Sequence, residues 1–145
     1  MKQFLAFDLG ASSGRAILGT VADGKVSLEE IHRFPNGPVE IHGGLFWNLL
    51  GLYSELKTGL RKAAERGVAL DGAAIDTWGV DFAMIDSNGN FLGFPRNYRD
   101  PRTGDIYDYV FPKVPREDIY QRTGIQFMPF NTVFQLAAME RAGEP

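Results

Sequence analysis

The apolar positions of the chain fall into two kinds of run. "FLAFDLG", from Phe4 to Gly10, is an apolar run ended by Asp8 and Gly10, the form of a buried central strand that delivers a polar group to a sheet edge. From Arg15 to Phe34, two stretches rich in strand formers flank Asp23-Gly24, a hairpin signal. The pattern predicts three antiparallel strands in succession. "FPNGPVEIHGG" collects Pro35, Gly37, Pro38, Gly43 and Gly44 and reads as a loop leaving the sheet. From Trp47 to Arg66 the period changes: Leu49, Leu52, Tyr53, Leu56, Leu60 and Ala63 recur at helical spacing, with Glu55, Lys57, Arg61 and Lys62 on the other face. Gly67 stands where such a helix is capped.

Strand character returns in "GAAIDTWGVDFAMIDSNGNFLG", with a run into Asp76, a Trp-Gly corner, a second run from Val80 to Ile85 and an Asn88-Gly89 turn. It repeats the opening plan of a strand ending in Asp, a corner and another strand. Arg96 to Arg116 lacks periodicity and is rich in Arg, Asp, Tyr and Pro, which predicts an ordered loop region. Short helices are expected at 116–123 and 132–142.

Length and composition narrow the classes. At 145 residues and 44% apolar content the chain is the size of one ordinary domain and can bury a core. Fifteen basic against 18 acidic residues, a net charge of −3, give no surplus for nucleic acid. The absence of cysteine excludes disulfides, thiolate zinc sites and thiol catalysis, and suits the cytoplasm. No run is long enough to span a bilayer, so no membrane role is expected. His32 and His42 are too far apart for a metal cluster, and structural roles are expected for both.

The chemistry concentrates in "DLGASSGR". Gly10 and Gly14 permit close backbone approach, and Ser12, Ser13 and the intervening amides can donate to phosphate oxygens. No Gly-Lys-Ser/Thr ending occurs and a strand follows Arg15, so this is a hairpin corner and not a P-loop. Asp8 beside polyphosphate needs an intervening cation, and magnesium, which takes one or two carboxylates with phosphate and water, meets that need. A turn-capping acid beside an ordinary Gly-Ser corner is the competing reading. Arg15 either faces a transferred group or pairs with a carboxylate. For Trp78, Phe82, Phe127 and Phe130, core packing and a ligand wall are both open.

Taken with "EEIHRF.NG", "IDTWGVDFAMID", "YRDPRT" and "DIYQRTGIQFMPFNT", the opening motif resembles the FGGY carbohydrate kinase family over nearly the whole chain. "IDTWGVDF" and "GIQFMPFNT" resemble the branch acting on L-rhamnulose. The resemblance implies an α/β fold of the ribonuclease H-like, actin-like ATPase type, a mixed sheet with flanking helices. It implies ATP-dependent phosphorylation of L-rhamnulose at its primary hydroxyl, with magnesium. By the same resemblance Ala11, Ser12, Ser13, Gly14 and Arg15 match the ATP phosphate-binding turn and Asp8 the magnesium-associated acid. Gly79 matches a sugar-contacting position, and Asp81 and Phe130 lie in segments that line the sugar pocket. Ala11 departs from the threonine common in the family and fits this branch.

Family members have two such domains, with the catalytic base well downstream, so residues 1–145 are expected to be an incomplete amino-terminal domain with the base beyond Pro145 and little turnover alone. Another ketose or polyol kinase, and a non-catalytic sugar- or nucleotide-binding module, are the alternatives. Nothing in the residues sets an oligomeric state.

Overall fold

A computed structural model describes residues 1–144. In chain order its elements are β1 (Lys2–Leu9), β2 (Ser13–Ala22), β3 (Lys25–Pro35), β4 (Pro38–Ile41), β5 (Gly44–Trp47), α1 (Leu49–Glu65), β6 (Gly72–Thr77), α2 (Ile106–Val110), α3 (Arg116–Thr123) and α4 (Thr132–Ala142). They form two compact units, one of Met1–Pro38 with Asn48–Gly79, the other of Val39–Trp47 with the chain from Val80 onward.

The first unit is a four-stranded mixed sheet in the order β3-β2-β1-β6, with β6 parallel to β1 and the other pairs antiparallel. The three antiparallel strands expected from the apolar run and the Asp23-Gly24 hairpin signal form. Alternation along β1 turns Leu5, Phe7 and Leu9 to one face, where they build a core with Ala16, Leu18, Ile31, Phe34, Leu52 and Ala63. The helix α1 covers this face and starts at Asn48, whose side chain accepts from the Gly51 amide at 2.9 Å. Gly67, with φ +69, follows its last turn. Gly59 lets α1 close on the sheet, since a β-carbon there would lie 2.5 Å from a Phe7 ring carbon and 2.9 Å from the Ala16 methyl. His32 fastens the same interface: its Nδ1 meets Lys62 Nζ at 2.9 Å and its Nε2 meets Glu55 at 2.5 Å. An ammonium can only donate, so Nδ1 accepts and Nε2 carries the proton directed at Glu55. His32 therefore has the structural role expected of it.

In the second unit the segment expected to be a loop is a hairpin of β4 and β5. Its turn residues His42 and Gly43 have φ of 49° and 78°, two left-handed residues in succession, which is the backbone a tight hairpin needs. His-Gly lacks the Asn or Asp that ordinarily announces such a turn. The strand expected over Val80–Ile85 does not form, and only a single bridge joins Ile85 to Phe91. Val80 itself has φ +69, strained for a β-branched residue, which breaks the extended run at its start. Within Arg96 to Arg116 the ordered segment contains a 3-10 turn at Pro101–Thr103 and the helix α2. Of its acids, Asp100 pairs within the segment, with Arg96 at 3.2 Å, whereas Asp105 meets Arg141 of α4 at 3.0 Å. The helices α3 and α4 form where expected. Ile106, Val110, Phe134 and Ala138 make the core of this unit, with Tyr107, Phe111 and Phe127 packed against it.

Candidate functional site

The corner between β1 and β2 is closed by the Gly10 amide donating to Ser13 O at 2.9 Å. A β-carbon on Gly10 would lie 2.9 Å from that same carbonyl, so glycine is needed there. Gly14 faces the core, where a β-carbon would sit 2.1 Å from the Phe34 ring. Alternation then turns Ser13 and Arg15 to the opposite face, while Ser12 is exposed at the tip. Sequence reasoning missed the brace behind this turn. Asn36, just past β3, donates through Nδ2 to Gly10 O at 2.8 Å and through its amide to Ser12 O at 3.0 Å.

Sheet register lines up charges on the face turned away from α1. Asp76, Asp8, Arg15 and Arg33 occupy successive paired positions across β6, β1, β2 and β3. Asp8 and Arg15 form an ion pair at 2.7 Å, so Arg15 takes the carboxylate-pairing role. Arg15 Nε is buried with no hydrogen-bond partner among the described residues. Arg33 is held by Glu30 at 2.6 and 2.9 Å, and this hydrogen bond keeps the Glu30 carboxyl below, and the guanidinium above, its ordinary value. Asp8 and the residues from Ala11 to Arg15 are thus brought together at one end of the two central strands, where backbone amides and hydroxyls lie beside an ion pair.

Gly79 ends the first unit and is exposed, and a β-carbon there would meet nothing within 4 Å. Trp78 packs half-buried against the first core, settling its role toward packing. Asp81 and Phe130 belong to the second unit. The Asp81 carboxylate accepts from Trp47 Nε1 at 2.5 Å and from Gln135 Nε2 at 3.0 Å. Phe130 packs edge-on to Tyr98 at 5.6 Å, and Tyr98 lies 6.3 Å from Trp47, so three aromatic rings form a row beside Asp81. Tyr98, Trp47 and Gln135 carried no sequence signal, because each lies far along the chain from the motif it supports. Phe127 packs into the second core and, with Val80, Ile125 and Asn131, also lines a cavity of 270 Å³.

No family model matches the chain. Among curated proteins it is 46% identical to a rhamnulokinase of Bacteroides thetaiotaomicron over 97% of its own length, and 45% identical to one of Pectobacterium atrosepticum over 96%. The chain is similar to rhamnulokinases over nearly its whole length. It spans 29% and 28% of the length of these two relatives. Among solved structures, a xylulose kinase of Lactobacillus acidophilus superposes with a TM-score of 0.82 at 12% identity, covering 99% of this chain and 29% of that one. A glycerol kinase of Plasmodium falciparum superposes with a TM-score of 0.76 at 14% identity, over 97% of this chain and 29% of that one. At such identities the likeness is one of fold, a mixed sheet with flanking helices shared with these two structures.

Proposed function

We propose that the protein carrying this segment is an ATP-dependent kinase that phosphorylates L-rhamnulose at its primary hydroxyl, giving L-rhamnulose 1-phosphate and ADP. The observation that carries this reading is the 46% identity to a rhamnulokinase over 97% of the chain. The first unit supplies the phosphate side of the reaction. Amides and hydroxyls from Ala11 to Gly14 donate to nucleotide phosphates, and Arg15 stands beside them in its ion pair with Asp8. Among the described residues no group of three or more His, Asp or Glu is arranged to hold a metal. Asp8 alone, with a side chain 41% exposed, fits magnesium of the kind that takes one carboxylate and completes its shell from phosphate and water. The ion would neutralise phosphate charge during transfer.

Gly79, Asp81 and Phe130 are assigned to the sugar side by the same resemblance, Asp81 as a hydrogen-bonded carboxylate and Phe130 as an aromatic edge. None of the acids here is assigned as the base. Asp8 is paired with Arg15, Asp81 accepts from Trp47 and Gln135, and Asp100 is buried and accepts from the Leu45 and Arg102 amides. The proton acceptor belongs, on this reading, to the part of the relatives' length that this chain does not span. No helix among the described residues is long and apolar enough to cross a membrane, and a cytoplasmic enzyme with access to ATP is the setting proposed.

The test is ADP release with magnesium-ATP and L-rhamnulose, L-fuculose or D-xylulose, measured for the full-length protein and for residues 1–145. Release by the full-length protein with L-rhamnulose, and none by the shorter chain, is expected. A preference for another ketose would replace the substrate, and ketose-dependent release by the 145-residue chain would return the base to one of its own acids.

A further inference from the structure

Asp81 and Phe130 lie 49 residues apart, yet one buried side chain touches the segments of both. Gln135, in the first turns of α4 and 2% exposed, donates through Nε2 to Asp81 Oδ1 at 3.0 Å and to Phe130 O at 2.9 Å. The same nitrogen lies 3.3 Å from Val80 O, and Thr132 Oγ1 donates to that carbonyl at 2.7 Å. On its other side Gln135 Oε1 accepts from Arg102 Nη2 at 3.0 Å. The partners fix the amide orientation, because a guanidinium only donates while a carboxylate and carbonyls only accept. A carboxylate at this position cannot donate to Asp81, an ammonium cannot accept from Arg102, and an apolar side chain does neither.

The group that Gln135 grips is also strained. Val80 stands at φ +69, a conformation that a β-branched residue holds only where its surroundings over-determine it. Hydrogen bonds from Thr132 and Gln135 to its carbonyl are two such determinants. This backbone sets the direction in which Asp81 leaves the chain, and Trp47 takes the second oxygen of that carboxylate.

From this geometry we infer that Gln135 is a positioning residue for ketose specificity: its amide fixes the Val80–Asp81 corner and the Phe130 segment in one arrangement, so that a ligand hydroxyl meets a preset acceptor and a preset aromatic edge. The inference rests on the kinase reading above and on its assignment of Asp81 and Phe130 to the sugar. Gln135 does not itself touch substrate.

The experiment compares Gln135→Met and Gln135→Glu with wild type in the full-length protein, measuring KM for L-rhamnulose and for ATP separately, with thermal midpoints. Both variants are expected to raise KM for L-rhamnulose about ten-fold or more, the scale of lost hydrogen bonds to a charged group, with KM for ATP within about two-fold. Gln135→Glu keeps the size and the Arg102 contact, so it serves where Gln135→Met does not fold. Equal rises in both KM values, or a lowered midpoint with neither KM changed, would overturn the positioning role and leave a purely structural one. Absence of ketose turnover in the wild type would overturn the kinase reading itself, and the inference with it.

Discussion

Asp8 and Arg15 stand opposite each other on β1 and β2, and their side chains meet at 2.7 Å on the sheet face turned away from α1. Both are well exposed, at 41% and 38%, so solvent screens the pair and it contributes about 0–1 kcal/mol to stability. Replacing Asp8 by Ala in the full-length protein is therefore expected to leave the thermal midpoint nearly unchanged. Turnover should fall by about 10²-fold or more, as for loss of a charge-stabilising group, and the magnesium requirement should shift, with KM for the sugar retained. Wild-type turnover in Asp8→Ala would remove this carboxylate from the site.

Asn36 holds the same corner from behind. Asn36→Ala loses the 2.8 Å bond to Gly10 O but keeps the backbone bond to Ser12 O, so the turn loosens without unfolding. A net loss of about 1 kcal/mol corresponds to roughly a five-fold higher KM for ATP. Steady-state kinetics with ATP and sugar varied in turn check this, and an effect confined to the sugar would contradict it.

Gly59 separates two expectations of opposite sign. Helix propensity alone favours Ala over Gly by about 1 kcal/mol at this interior position. Packing opposes it, because the new methyl would stand 2.5 Å from Phe7 and 2.9 Å from the Ala16 methyl, and forcing atoms into a filled core costs about 1–3 kcal/mol. We expect packing to win and Gly59→Ala to lower the denaturant midpoint. A raised midpoint would mean that α1 can shift away from the sheet.

The Asp86 carboxyl is held below the ordinary aspartate value, first by the Asn90 side chain and then by the Asn90, Asn88 and Gly89 amides. With a folded pKa below the unfolded one, the unfolded chain binds more protons between the two values. The contribution of this turn is fully present above the ordinary aspartate range and is lost as pH falls through the lowered value. An NMR titration following the Asn88 and Asn90 amides should show the turn intact at neutral pH and opening only in strong acid. Opening near neutral pH would contradict the assignment.

Much of the first unit could be read in the chain because its signals are local. The apolar run into Asp8, the Asp23-Gly24 turn and the helical spacing after Asn48 each depend on residues close together in the chain. The second unit was less legible. The His42-Gly43 turn carries no Asn or Asp, and the Val80–Ile85 run has strand composition but is stopped by a left-handed valine held by Thr132 and Gln135. Those partners are more than fifty residues away, beyond the reach of any periodicity.

The candidate site divides in the same way. Asp8, Gly10, Gly14 and Arg15 lie within one turn of chain, so the sequence by itself determined that an acid, small residues and a guanidinium share a hairpin corner. Only the tertiary structure decided that Arg15 pairs with Asp8, that Asn36 braces the turn, and that Gln135 ties Asp81 to the Phe130 segment. The reason is physical: a buried polar group must find partners wherever packing brings them, and packing is a property of the assembled chain and not of neighbouring residues.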